Sequence, residues 1–339
     1  MRIHQDYSLK LLHTFGIDVK TKLFAEIFSE EDIFELILNR KLINERKFIL
    51  GGGSNILFTK NFDGFVIKVS LPGINKIGEN EKSVIIEAGA GVIWDQLVTY
   101  CINNNFGGIE NLTLIPGNVG AAPIQNIGAY GQELSETIES LKGIFIEDGT
   151  VKSFSKSECN FSYRNSIFKQ ELKNKFIITS LRLRLSKNPK INSSYKQVED
   201  ELQNLKINNP TINDISKVVA KIRRSKLPHP EEIGNAGSFF KNPVVHYQKY
   251  FELVESHPGI ISFDVDKNFK KIAAGWLIEN CGWKGRRIGN VGTHQKHALI
   301  IVNYGDATGD EILDFSVRII QAVELKFGIR LENEVSIIN

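Results

Sequence analysis

Between Pro116 and Gly131 the chain reads PGNVGAAPIQNIGAYG, and this run limits the possible folds more than any other. It holds Gly117, Gly120, Gly128 and Gly131, the small Ala121, Ala122 and Ala129, and no charged side chain. Neither an amphipathic helix nor an alternating strand is written this way. Glycine admits left-handed backbone angles and lets a second molecule come close to the main chain. Successive N–H groups in such turns form a concavity that suits phosphate. Gln125 and Asn126 add amides that both donate and accept, as recognition of a ring edge or a ribose requires. A compact loop between buried strands is the alternative, but the length of the uncharged run favours a ligand cradle.

A second glycine cluster precedes it. Phe48-Ile49-Leu50 reads as a short buried strand that runs straight into Gly51-Gly52-Gly53-Ser54-Asn55. A strand, then glycines, then Ser/Asn is the pattern of a phosphate-binding turn. The spacing is not GxGxxG, and Ile56-Leu57-Phe58 follows in place of a helix, so the turn joins two extended segments. Gly89-Ala90-Gly91 is a further turn.

With 339 residues the chain is long enough for two or three domains. Its formal charge of +3 argues against a dedicated nucleic-acid binder, which carries a strong basic excess. No apolar run reaches the length of a membrane span, and MRIHQDYSLK lacks the apolar core of a secretion signal. Cys101, Cys159 and Cys281 are odd in number and far apart, fitting neither a disulfide framework nor a zinc site. A reducing, cytoplasmic setting is the simplest expectation.

Helices are expected over Glu31–Arg40, with Ile33, Phe34, Leu36 and Ile37 on one side, and over Ile93–Asn103. Strands are expected at Phe65–Ser70, Val84–Glu87, Leu141–Glu147 and Phe176–Leu185. In the last of these Arg182 and Arg184 alternate with Leu181, Leu183 and Leu185. The polar run Ser186–Ser194, with Pro189, is the best boundary. Beyond it Ile212, Ile215, Val218, Val219 and Ile222 mark a helix that Pro228 and Pro230 end. Lys221, Arg223, Arg224 and Lys226 close it; they either complement the helix dipole or face an anionic ligand. Thr308 and Glu311 form a capping box that opens a long helix ending at Phe327-Gly328.

Three stretches have residue types suited to chemistry: Phe161-Ser162-Tyr163-Arg164-Asn165-Ser166, GNAGSFFKNP at 234–243, and Leu331-Glu332-Asn333-Glu334-Val335. Ser238 sits between glycines and phenylalanines. No GxSxG elbow surrounds it, which argues against a hydrolase. Arg164 is able to clamp a carboxylate in two-pronged fashion. Each also has a bland reading, as a turn serine, a surface arginine and the outward glutamate of a last strand. Taken alone they do not identify a reaction.

Taken together, GGGSN at 51–55, ENLTLIPGNVGAAPIQNIGAYG at 110–131, FSYRNSIFK at 161–169, KLPHP at 226–230, GNAGSFFKNP at 234–243, AAGWLIENCGWKG at 273–285 and LENEV at 331–335 resemble the UDP-N-acetylenolpyruvoylglucosamine reductase family. These motifs run in family order over nearly the whole chain. The resemblance implies an α+β protein: an FAD-binding domain of the vanillyl-alcohol-oxidase (PCMH) type over 15–188, in subdomains of roughly 1–70 and 71–188, then a linker and helix at 189–225. A C-terminal substrate-binding domain spans 226–339, its last strand packing back on the N-terminal subdomain. The insertion 187–210 with Tyr195 looks like the longer type I branch.

By the same resemblance, FAD binds non-covalently at Gly51, Gly52, Gly53, Ser54, Asn55, Pro116, Gly117, Asn118, Gly120, Ala121, Ala122, Gln125, Asn126, Gly128, Ala129, Tyr130, Gly131 and Ile178. NADPH is the co-substrate, and UDP-GlcNAc-enolpyruvate receives hydride at C3. Arg164 and Glu334 are placed at the substrate carboxylate, Glu334 as an acid whose pKa is raised, and Ser238 protonates C2. Tyr195, Lys226, Asn242 and Lys284 are the expected substrate contacts. No metal, nucleic acid or membrane insertion is implied, and the protein is expected to be a monomer. Asn333 stands where the family commonly has proline. His297 stands where an amide is expected and is left unassigned. Related oxidases that tether FAD through a histidine in the turn corresponding to 89–91 are one competing reading; none is there. A non-catalytic flavin- or nucleotide-binding protein is the other.

Overall fold

The computed structural model describes residues 1–339 except for the side chain of Arg40. By backbone contacts the chain divides into two units. The first comprises Met1–Tyr7, Thr21–Gly53 and Asp63–Ser225, and the second Ser8–Lys20, Ser54–Phe62 and Lys226–Asn339.

The first unit is built on two sheets. One has four strands in the order Ile3–Ser8, Lys20–Ile27, Phe62–Val69 and Lys47–Leu50, the last pair parallel. The other is antiparallel throughout, in the order Val151–Ser155, Ile138–Phe145, Phe176–Ser186, Ser83–Gly89 and Ile74–Glu79. The alternation of Phe176–Ser186 sends Leu181, Leu183 and Leu185 into the core beside Ile86 and Ala88. Its outward arginines find partners across the sheet, Arg182 with Glu87 at 2.6 Å and Arg184 with Glu139 at 2.8 Å. Helix Trp94–Asn103 buries Trp94, Leu97, Val98 and Cys101 in this core, and the Trp94 indole donates to the Leu112 carbonyl at 3.0 Å.

Helix Glu30–Leu38 begins with a capping box of Ser29 and Asp32. Ile33 and Leu36 enter a second core with Phe65, Ile67, Ile144 and Ile177, whereas Phe34, expected on the same face, is exposed. A third core joins helices Lys196–Asn204 and Ile212–Lys226 through Val198, Leu202, Ile215, Val218, Val219 and Ile222. That packing, with Tyr130 and Tyr195 against it, keeps residues 189–225 in the first unit. The polar run 186–194 is thus not where contacts thin out; that happens at 225/226.

The second unit has an antiparallel sheet in the order Gly234–Ser238, His297–Asn303, Val291–His294 and Arg287–Ile288. A small antiparallel sheet has the order Val244–His246, Phe269–Ile272 and Ser262–Asp264. Helix Gly309–Phe327 has the expected Thr308/Glu311 capping box and ends on Gly328 at φ 63°. The last strand, Ser336–Ile338, pairs parallel with Ile56–Phe58. That pairing is why residues 54–62 count with the second unit, although they lie early in the chain. Among the described residues no helix is long and apolar enough to cross a membrane, and no cluster of metal-ligating side chains forms. Cys101 and Cys159 are buried, which pushes both thiols up to about 12.

Candidate cofactor cradle and active site

The run 116–131 is held by its own backbone. Val119–Gln125 is a 3₁₀ segment. Gly117 accepts from Trp94 N–H at 2.9 Å, Val119 N–H donates to Val92 at 2.8 Å and Gly120 N–H to Ala90 at 2.9 Å. The Asn118 amide donates to the Gly91 carbonyl at 2.8 Å. These bonds fasten the run to the turn after Ser83–Gly89. The 51–53 turn lies against it: a methyl group on Gly52 would stand 2.6 Å from Asn118 Oδ1 and 2.8 Å from Gly117 Cα, and one on Gly51 3.1 Å from Ala121 Cβ. On Gly120 it would stand 2.6 Å from Ala90 Cβ. The two glycine clusters that sequence separates by more than sixty positions therefore form one surface, and it closes only without side chains.

Gly128–Ala129 and Gln132–Glu133 make a short hairpin whose central Tyr130 and Gly131 have φ of 49° and 80°. Two positive φ values are what a type I′ turn demands. A tyrosine held there costs about 1–2 kcal/mol. Asn111 helps hold it, donating to the Tyr130 carbonyl at 2.9 Å and the Asn192 carbonyl at 3.0 Å. Asn126 is buried and clasps its surroundings, accepting from Ser135 N–H at 2.9 Å and donating to Glu133 at 2.8 Å. Ile178 lies in the core of the antiparallel sheet.

Arg164 projects from a tight turn in which Ser162 and Asn165 exchange two backbone hydrogen bonds of 3.1 Å. Its own φ is 54°, a left-handed value uncommon for a non-glycine residue. Arg164 Nη2 donates to the Gly128 carbonyl at 2.7 Å, so the guanidinium borders the cradle.

Ser238 and Glu334 belong to the second unit. Ser238 ends the edge strand just after a bulge: the register on His297–Asn303 slips between Asn235 and Ser238, and Gly237 takes φ 69°. A bulge re-aims the side chains that follow it. The next carbonyl, that of Phe239, accepts from Glu334 N–H at 2.8 Å, so the two residues sit on touching segments. Asn55 braces the same place, its amide donating to the Glu334 carbonyl at 3.1 Å and its carbonyl accepting from Ser336 N–H at 3.0 Å.

The expected substrate contacts fall in both units. Tyr195 caps helix Lys196–Asn204 and meets the Tyr130 ring edge-on at 5.3 Å. Asn242 accepts from Ala274 N–H at 2.9 Å, which leaves its amide protons for other partners. Lys226 is the last residue of its helix, and burial lowers its pKa. Lys284 pairs with Glu279 at 2.8 Å. The charges of Lys226 and Lys284 both act on His297, whose pKa burial, reinforced by these lysines and by His294, pushes down to about 4.

Sequence reasoning missed Asn111 and placed Arg223 only among the charges that close its helix. Arg223 hydrogen-bonds to the Tyr130 side chain; burial lowers its pKa, opposed by Tyr130 and by the charge of Asp95. It stands four residues after Val219, on the stripe that Ile215 and Val219 bury. That spacing was the available signal. Asn111 carried none.

The family described as UDP-N-acetylenolpyruvoylglucosamine reductase, C-terminal domain, matches residues 229–338, and the FAD binding domain family matches 28–155. The chain is 47% identical over 339 residues to the UDP-N-acetylenolpyruvoylglucosamine reductase of Flavobacterium johnsoniae, covering 100% of both chains. It is 45% identical over 338 residues to that of Amoebophilus asiaticus, again with 100% of each covered. The crystal structure of UDP-N-acetylenolpyruvylglucosamine reductase from Thermus caldophilus has the same fold, with TM-score 0.70, 23% identity and 100% of both chains covered. An FAD-binding domain, an α+β domain of this reductase type and full-length identity with curated reductases thus coincide in one chain, which belongs to the UDP-N-acetylenolpyruvoylglucosamine reductase family of flavin-dependent oxidoreductases.

Proposed function

We propose that this chain reduces UDP-GlcNAc-enolpyruvate to UDP-N-acetylmuramate in the cytoplasm, as a step in making peptidoglycan precursors, with NADPH as hydride source. The observation that carries this reading is the placement of Ser238 beside Glu334, on segments joined by the 2.8 Å bond from Glu334 N–H to Phe239.

The cradle fits FAD. Its surface at Gly51, Gly52, Gly117, Gly120 and Ala121 is lined by backbone, and side chains on Gly52 or Gly120 would collide with it. Such a surface suits a diphosphate and a flat ring. Binding is non-covalent in this reading, supported by a turn at Gly89-Ala90-Gly91 that holds no nucleophilic side chain. When bound, FAD would supply the hydride chemistry that links NADPH oxidation to reduction at C3 of the enolpyruvyl group. Ser54, Pro116 and Ala122 complete the expected cofactor contacts.

The protein's own residues handle charge and protons. Hydride addition at C3 leaves negative charge at C2 that spreads into the neighbouring carboxylate. Arg164, held at the cradle by Gly128, would offer a cation at that carboxylate, and Glu334 a hydrogen bond. Ser238 would deliver the proton to C2. A serine hydroxyl is a weak acid, so it depends on the strong basicity of the acceptor. Lys226, Lys284, Asn242 and Tyr195 would hold the nucleotide and its diphosphate. The test is NADPH oxidation by the purified flavoprotein with and without UDP-GlcNAc-enolpyruvate. Oxidation that depends strongly on the enolpyruvyl compound supports the reading; slow oxidation indifferent to it overturns it.

A further inference from the structure

We propose that His297 is a proton-accepting residue of the diphosphate site, taking up a proton from solvent as an anion settles between Lys226 and Lys284. The inference rests on the proposed placing of substrate diphosphate at these two lysines.

The geometry comes from the hairpin Val291–His294 and His297–Asn303, where His294 and His297 are cross-strand partners at the turn. Nδ1 of each ring is buried and, among the described residues, has no hydrogen-bond partner. A buried ring nitrogen without a partner is costly, and native structures seldom keep one without a use. Here the two residues that carry them are paired across one hairpin, and the charges of Lys226 and Lys284 act on His297.

The groups that face His297 come from three places. Lys226 ends the helix Ile212–Lys226, Lys284 follows the helix Ala274–Asn280, and His294 lies on the adjacent strand. Glu279 holds Lys284 at 2.8 Å, and the charge of Lys296 acts on His294. Gly234–Ser238, the strand on the other side of His297–Asn303, has no charged side chain. Lys226, His294 and Lys284 each lower the pKa of the ring, and each is positive or can become so. With nothing bound, the imidazole stays neutral because burial and both lysines oppose a third cation. An anion with two negative charges offsets the two lysine charges and gives the ring an acceptor, so protonation becomes favourable. The proton moves from water to a ring nitrogen, and no bond to the ligand forms.

UDP-N-acetylglucosamine is a suitable probe, because its diphosphate diester does not itself titrate near neutral pH. Its binding to the FAD-loaded protein would be followed by calorimetry at pH 6 in buffers of different ionisation enthalpy. The expected result is uptake of roughly half a proton or more, and an affinity that rises about tenfold from pH 7.5 to 5.5. His297→Gln, which keeps a polar side chain, should abolish both while retaining FAD. His294→Gln should keep most of the uptake. NMR of histidine-labelled wild type gives an independent reading: one imidazole should change protonation on adding the probe. Binding without uptake overturns the proposal, as does uptake that survives His297→Gln. Failure of enolpyruvate reduction, by contrast, would remove the proposed reaction and leave uptake on binding the probe intact.

Discussion

The proposed cradle in the first unit and the proposed site in the second are built by opposite means. The cradle is made from backbone, and its specificity is the absence of side chains: Gly52 and Gly120 sit where a methyl group would collide at 2.6 Å. The second site, as proposed, would draw on side chains that a bulge, a hairpin turn and the last segment of the chain carry in distant parts of the sequence. Ser238, Glu334, Lys226 and His297 share no local pattern. The cradle is rigid because close packing leaves no alternative. The second unit keeps buried ring nitrogens without partners among the described residues, at His294 and His297. A protein organised this way should separate cleanly into two sets of defects.

The largest separation is expected from Ser238→Ala. Loss of one acid–base contact is worth about 10²–10⁴ in rate. Reduction of the enolpyruvyl substrate should fall by that factor, while reduction of the flavin by NADPH, followed at the flavin absorption band under anaerobic conditions, stays close to wild type. Collapse of both half-reactions would mean that the two regions are not independent and that the role given to Ser238 is wrong.

The cradle should fail in the opposite sense. Gly52→Ala forces Gly117 backbone or the Asn118 amide to move, and overpacking of this kind costs about 1–3 kcal/mol. That corresponds to roughly a 10–100-fold loss of FAD affinity. Flavin content after dialysis and fluorescence titration with FAD would read it, and affinity for UDP-N-acetylglucosamine should hardly change. Unaltered FAD affinity would show that the 51–53 turn packs against the cradle without taking part in it.

The contrast also explains what was legible in the sequence. Glycine clusters without charge are visible as such, so 51–55 and 116–131 stand out; their close approach at Gly52 and Gly117 is tertiary and is not written locally. Alternation fixed Phe176–Ser186, and a capping box fixed the start of Gly309–Phe327. The hairpin turn at Tyr130-Gly131 hid itself, because tyrosine is not a residue expected at positive φ. Nothing local in Ile56–Phe58 or Ser336–Ile338 names the other as a partner some 280 residues away, and only the family resemblance implied that the last strand packs back on the N-terminal subdomain. Arg223 was read with the charges at the end of its helix, though its spacing from Val219 puts it on the buried face. Ser238 and Glu334 stood out by residue type, but only family resemblance gave them roles. Their neighbourhood depends on a bulge, which propensity does not encode.

The smallest effect sharpens the comparison through acid. Besides His297, the second unit buries His13, whose Nε2–H donates to the Ile17 carbonyl at 3.1 Å and whose Nδ1 has no partner among the described residues. Burial pushes its pKa down to about 4, only partly offset by that hydrogen bond. An unfolded histidine titrates near 6.5, so between these values the unfolded chain binds more protons than the folded one. Stability is therefore complete above about pH 6.5 and falls as the pH drops toward 4, by at most about 1.4 kcal/mol per pH unit for each such histidine. His13→Gln keeps a donor for Ile17 and removes one of the two. Melting temperatures of the FAD-loaded protein at pH 7 and pH 5 should differ by several degrees in the wild type and by less in the variant, at about 2–4 °C per kcal/mol. UDP-N-acetylglucosamine should reduce the His297 share of the acid effect and leave the His13 share untouched. An equal acid effect in wild type and variant would mean that His13 is already charged in the folded protein, and that burial in the second unit does not govern its titration.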